Sequence, residues 1–227
     1  IAAYLPPGVT LRLLPDRALL ALQGPAAAAI VGSTLSFMGV AETTVEGVAA
    51  LVSRSGYTGE DGFEISVPAA DAPALADRLL AHPAVVPVGL GARDSLRLEA
   101  GLCLYGNDID ETTTPVEAGL TWVIGKRRKM AWDFPGGAAI RDQLDNGAPR
   151  RRVGIRPDGR APARAGTVVV DAGIITSGGF SPTLNAPIAM GYVRRDKAED
   201  GSALTLLVRG KPLPAKVVPM PFVPHRY

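Results

Sequence analysis

From Phe63 to Val67 apolar and polar residues alternate with a period of two, Phe63, Ile65 and Val67 set against Glu64 and Ser66. This is the pattern of a strand with one buried face, so Glu64 and Ser66 are predicted to point away from the core. Val48 to Ser53 is apolar and partly β-branched and predicts another strand. Leu11 and Leu13, and then Ala18 to Leu22, read as extended segments that end at Gln23-Gly24-Pro25. An alanine-rich helix is predicted from Ala26 to about Gly32. Between Ser53 and Gly62 three glycines and the Asp61-Gly62 pair predict a turn-rich loop. Asp71 as cap, Pro73 in the first turn, Leu75 and Leu79 on one face and Pro83 as the stop predict a further helix. Gly89 to Ala100 predicts another, closed by Gly101 in a left-handed cap, with Arg93 and Arg97 one turn apart. Leu120, Trp122 and Ile124 alternate as a strand, and Asp133 to Gly137 reads as a loop.

After about residue 147 the pattern changes to short β-rich segments. They run over Arg152 to Ile155, Thr167 to Val170, Gly173 to Thr176, Ile188 to Val193, Leu204 to Val208 and Ala215 to Val218, with turn residues between them at barrel-like spacing. The predicted fold class is α+β: an α+β region over residues 1–147 and an all-β barrel over residues 148–227. No fixed-period repeat and no low-complexity segment interrupts this reading.

Composition removes several alternatives. Of 227 residues 47% are hydrophobic and 20% charged, the balance of a folded chain. The most apolar run, Ala18 to Val31, is broken by Gln23, Gly24 and Pro25, so no stretch reaches the roughly 18 apolar residues of a membrane span. Cys103 is the single cysteine, which excludes an internal disulfide, and between Leu102 and Leu104 it reads as a small hydrophobe. With only His82 and His225 besides, both read as surface residues, no metal site and no histidine-based triad are expected. Dinucleotide-binding, P-loop, zincin and G-x-S-x-G motifs are all missing. The chain begins at Ile1 without an initiator Met, which reads as a processed form or a fragment.

Charge is divided unevenly. Residues 1–125 hold 6 basic and 14 acidic side chains, and residues 126–227 hold 18 and 8. Lys126 to Lys129 and Arg150 to Arg152 flank expected loops and read first as solvated runs. A nucleic-acid role is disfavoured because aromatic residues for stacking are few and no RNA-binding motif is present.

Four collinear stretches resemble the aminomethyltransferase (T-protein) family of the glycine cleavage system. They are Ser53-Arg54-Ser55-Gly56-Tyr57-Thr58-Gly59-Glu60-Asp61-Gly62-Phe63-Glu64-Ile65; Ala92 to Asp110; Thr176 to Pro182 with Ala189 to Val193; and Met220-Pro221-Phe222-Val223-Pro224. The resemblance implies two α+β regions with interleaved segments and a C-terminal barrel arranged around a folate. It further implies an enzyme that takes the aminomethyl group from the lipoyl arm of H-protein, releases ammonia and gives methylene-tetrahydrofolate.

By that resemblance Glu64 is the strand glutamate that hydrogen-bonds the pteridine ring, where a carboxylate suits adjacent N–H donors. Arg93 is the substrate-contacting arginine, Tyr57 lines the folate pocket and Tyr227 is a C-terminal tyrosine of the same site. Each also has a plainer reading: Arg93 paired with Asp94 or Glu99, Tyr57 packed on Gly59, Tyr227 frayed, Glu64 merely solvated. The glycines at 56, 59 and 62 are read as shaping the loop. The family's proposed catalytic aspartate lies upstream of the segment matching Ala18 to Pro25. No catalytic residue is therefore assigned in this chain, which is expected to be inactive or nearly so by itself.

Two related alternatives are a folate-binding paralogue, whose Lys-Gly-Cys motif is replaced here by the run Glu99 to Gly106, and the folate domain of a dimethylglycine or sarcosine dehydrogenase. The implied partners are lipoylated H-protein and the co-substrate tetrahydrofolate, with no nucleic acid or membrane. The basic half suits an acidic partner or an anionic folate tail. The implied compartment is the bacterial cytoplasm, with the mitochondrial matrix as the alternative.

Overall fold

The computed structural model describes residue 3 and residues 5–227. The chain divides into two compact units, one of residues up to 56, 60–88 and 227, the other of residues 57–59 and 89–226.

In the first unit β1 (Arg17–Gln23), β2 (Val40–Val45), β3 (Val48–Ser53) and β4 (Gly62–Pro68) form an antiparallel sheet in the order β1-β4-β3-β2. Two helices, α1 (Ala27–Val31) and α2 (Ala72–Leu80), complete it. The hairpin from β2 to β3 turns on Glu46 and Gly47, whose φ values of 47° and 80° match the twist of the strands it joins. Phe63, Ile65 and Val67 of β4 are wholly buried with Val52, Leu75 and Leu79. The alternation along this segment thus decides which face of β4 meets the core, and Glu64 lies on the other.

The second unit opens with α3 (Leu90–Glu99), followed by α4 (Lys126–Ala131) and α5 (Gly137–Asn146). Six strands then close a barrel: β5 (Arg150–Pro157), β6 (Val168–Val169), β7 (Gly173–Ser181), β8 (Ala186–Arg194), β9 (Ala203–Val208) and β10 (Lys211–Val218), in the order β10-β5-β8-β7-β6-β9. Each corresponds to one of the six β-rich segments read from the sequence. Ile155, Val169, Ile175, Ala189, Leu206 and Val217 fill the barrel, and Leu98 of α3 packs with Ile188 and Met190 of β8. Glycine permits close passage on β7: a Cβ on Gly178 would sit 1.8 Å from the carbonyl oxygen of Ala163, and one on Gly173 would sit 1.9 Å from that of Tyr192.

Several expectations are corrected. Leu120 to Ile124 is no strand but a 3-10 turn at Thr121–Val123, with Trp122 exposed. The segment has few residues between Gly119, whose left-handed φ of 69° turns the chain, and Gly125, where α4 begins. Leu11 and Leu13 lie outside any strand and are exposed; among the described residues no neighbouring strand pairs with them. Lys126 to Lys129 sit in a helix, and Arg150 to Arg152 begin β5 with Arg152 buried. Asp71 makes no side-chain cap because α2 is entered through a 3-10 turn, Ala69–Asp71, that leaves Asp71 already helical. Strand β2 and helix α5 were not anticipated from the residue pattern. The expected boundary at 147/148 is not one of these corrections: it lies between the end of α5 and the start of β5. Among the described residues no helix is long and apolar enough to cross a membrane.

Candidate functional site

Glu64 stands mid-strand on β4, flanked in register by Ala21 of β1 and Ser53 of β3. Its side chain is half-buried. The Ser55 hydroxyl donates to Glu64 Oε2 at 3.3 Å and is itself hydrogen-bonded to the Ser53 hydroxyl. Among the described residues no cation pairs with Glu64. A half-buried carboxylate that keeps acceptor capacity unspent can take donors from a ligand.

The approach to Glu64 is shaped by Gln23 at the end of β1. Its Nε2 donates to the carbonyl oxygens of Ser55 at 3.1 Å and Phe63 at 3.2 Å, the two sides of the loop mouth. The glycines flanking that mouth leave room for the amide: a Cβ on Gly56 would lie 1.8 Å from Gln23 Oε1, and one on Gly62 would lie 2.6 Å from Gln23 Cδ. Arg54 ties the same loop, meeting both Asp61 oxygens at 2.9 and 2.7 Å and the Leu35 carbonyl at 2.6 Å. The Arg54 guanidinium holds the Asp61 carboxyl below its ordinary range.

The second unit holds Tyr57 and Arg93. The Arg93 guanidinium lies 5.0 Å from the centroid of the Tyr57 ring, within cation–π range. The Tyr57 hydroxyl donates to the Cys103 carbonyl, and burial pushes the phenol pKa up, so the group stays protonated as a donor. Burial also raises the Cys103 thiol, against the nearby Arg152, which suits an inert side chain rather than a nucleophile. The plainer reading of Arg93 as a helix ion pair fails in detail. Asp94 is engaged by Arg97 at 2.7 Å, and Glu99 is buried with Ser181 and Thr183.

Tyr227 belongs to the first unit and stacks on Phe37, ring centroids 4.0 Å apart and planes 13° from parallel. Glu64 and Tyr227 are thus placed in one unit and Tyr57 and Arg93 in the other. Sequence reasoning missed Ser55, Gln23 and Phe37. The Ser53-x-Ser55 spacing and the glycine pair around Gln23's amide were signals available in principle; Phe37 carried none. Among the described residues no group of three or more His, Cys, Asp or Glu could hold a metal ion.

Two families match this chain: the GCVT N-terminal domain over residues 2–128 and the glycine cleavage T-protein C-terminal barrel domain over residues 150–224. It is 53% identical to the mitochondrial aminomethyltransferase of Gallus gallus over 91% of its length and 56% of that protein's. The mitochondrial aminomethyltransferase of Homo sapiens is 51% identical over 93% of this chain and 56% of its own. The crystal structure of the glycine cleavage system aminomethyltransferase T from Bartonella henselae superposes with a TM-score of 0.86 at 46% identity, covering 93% of this chain and 61% of that one. The chain therefore spans a little over half the length of the curated relatives it matches. With both domain families matched in order and the barrel closed where the second one falls, the chain belongs to the glycine cleavage T-protein family.

Proposed function

We propose that this chain forms the folate-facing part of a tetrahydrofolate-dependent aminomethyltransferase. In the reaction the methylene carbon leaves the sulfur and amine of the aminomethyl-lipoyl arm of H-protein and bridges two nitrogens of tetrahydrofolate. The two protons released from those nitrogens leave with ammonia and the freed thiol, so atoms and charge balance. Within the first unit Glu64 accepts the pterin's edge N–H donors and Tyr227 is the second folate contact; within the second unit Tyr57 and Arg93 are the contacts for a folate's polar and anionic groups. None of these residues is assigned the proton transfer, and the isolated chain is proposed not to sustain catalysis. Lipoylated H-protein is the proposed partner, and the compartment is the bacterial cytoplasm or the mitochondrial matrix, either reducing enough to keep Cys103 a thiol.

The observation that carries this reading is the half-buried carboxylate of Glu64, without a cationic partner among the described residues and held on one oxygen by Ser55. Anaerobic calorimetry of tetrahydrofolate on the chain and on Glu64→Ala tests it. Saturable binding that the variant loses supports it; equal binding by both, or none by a folded chain, overturns the assignment of the pterin contact to this chain.

A further inference from the structure

Between α3 and the barrel the segment Ala100 to Leu104 has almost no regular structure, yet every residue in it has a backbone polar group held by a distant or neighbouring side chain. His225 Nε2 donates to Ala100 O at 2.9 Å, Arg152 Nη1 to Gly101 O at 3.0 Å, and Arg97 Nη1 to Leu102 O at 3.3 Å. The Tyr57 hydroxyl donates to Cys103 O. Leu104 N donates to Asp108 Oδ2 at 2.9 Å.

Two of those holders form a buried ion pair. Arg97 Nη1 and Asp108 Oδ2 are 2.8 Å apart, with side chains 3% and 0% exposed. Ser177 of β7 bridges them, donating to Asp108 at 2.8 Å and accepting from Arg97 at 2.9 Å. Thr176 donates to the other Asp108 oxygen. Burying such a pair gains little net stability over an apolar filling, and its attested use is to fix one arrangement against others. The arrangement fixed here is specific: Arg97 holds the residue before Cys103 and Asp108 the residue after it. The carbonyl between them is the one that seats the Tyr57 hydroxyl, and Arg93 lies on that ring.

We propose that Arg97 and Asp108 are positioning residues: by clamping Leu102 and Leu104 they aim the Cys103 carbonyl, and through it orient the Tyr57 ring and the Arg93 guanidinium toward substrate. This rests on the reading of Tyr57 and Arg93 as folate contacts. It adds that the barrel, through Ser177, sets the geometry of a contact that lies on none of its strands.

The test is a double-mutant cycle of Asp108→Asn and Tyr57→Phe on the full chain, read as tetrahydrofolate affinity by anaerobic calorimetry. Each single variant is expected to weaken binding about tenfold, and the double variant no more than the weaker single, because both act through one hydrogen bond. Additive losses, or a fall in Tm with unchanged affinity, overturn the proposal. Where Asp108→Asn does not fold, Ser177→Ala takes its place in the cycle with the same expectations. Arg93→Ala is the control for the underlying reading. If it leaves affinity unchanged, the folate contact fails, and the clamp is judged alone by the ¹⁹F resonance of 3-fluorotyrosine at position 57. That resonance is expected to move and broaden in Asp108→Asn, and an unchanged signal overturns the clamp.

Discussion

The guanidinium of Arg93 rests on the ring of Tyr57 and, among the described residues, on no carboxylate, although Asp94 follows it and Glu99 lies on the same helix. A cation seated on an aromatic face keeps its N–H donors free for a ligand, which a cation locked to an acid does not.

Arg93→Lys keeps the charge but loses the planar stack and the fork of donors. Tetrahydrofolate affinity, measured by calorimetry, is expected to fall about tenfold, equivalent to ~1.4 kcal/mol. The thermal midpoint should stay close to that of the parent, since Arg93 makes no ion pair among the described residues. An unchanged affinity would remove Arg93 from the site.

Asp61 gives a prediction in pH. Its carboxyl is depressed by the hydrogen bonds from Arg54, so the pair stabilises the fold above the unfolded value of about 3.9 and loses that contribution as pH falls through the lower folded value. Asp61→Asn should therefore lower the thermal midpoint at pH 7, and the gap between variant and parent should narrow as pH falls below the ordinary carboxylate range and through the lowered folded value. Melting curves across that range decide it; a gap that persists in acid would place the effect in packing rather than charge.

Glycines in the second unit separate into two kinds. Gly178→Ala would drive a Cβ to 1.8 Å from a backbone oxygen, and is expected to destabilise the barrel by about 3 kcal/mol or more. Gly91 lies within α3 with open space where a methyl group would go and no left-handed φ, so Gly91→Ala should stabilise by roughly 0.5–1 kcal/mol. Denaturant unfolding of both variants measures the contrast.

Helix α4 carries the basic run Lys126 to Lys129. Arg128 is bonded to Asp133 at 2.5 Å, while Arg127 is 3.6 Å from it and largely exposed. Nearby in sequence, Met130 and Trp122 are 85% and 77% exposed. If lipoylated H-protein is the partner as proposed, charge reversal at Arg127 and Lys129 is expected to weaken its binding at low salt and to matter little at high salt, as for steering by exposed charge. Equal affinities at low salt would exclude this surface.

The barrel was legible because its strands are short, apolar and separated by turn residues, a local signal that needs no knowledge of what pairs with what. Glu64 was legible for a similar reason: period two alone turned it away from Phe63 and Ile65. What stayed hidden depends on distant partners. Ser55 and Gln23 are unremarkable in sequence, and only the fold brings Gln23 at the end of β1 to the carbonyls of Ser55 and Phe63. Trp122 misled because alternation over five residues says nothing about whether a neighbouring strand exists. Arg152 misled in the opposite sense: it sits in a run of arginines, yet its guanidinium is buried against the Ala118 and Gly101 carbonyls. Charge in a sequence marks a side chain's cost of burial, not its location.

The six strands do not meet equally. Neighbours β7 and β8 are registered from Gly173↔Val193 to Ser181↔Ala186, whereas β6 and β9 share the single register pair Val169↔Leu206, helped by one bond from Val170 N to Thr205 O. A cylinder whose circumference is closed by one rung has a built-in place to unzip. Amide protons at that rung should exchange with solvent earliest in the barrel, before those of β7 and β8, so that the ring opens to a curled sheet before its core is lost.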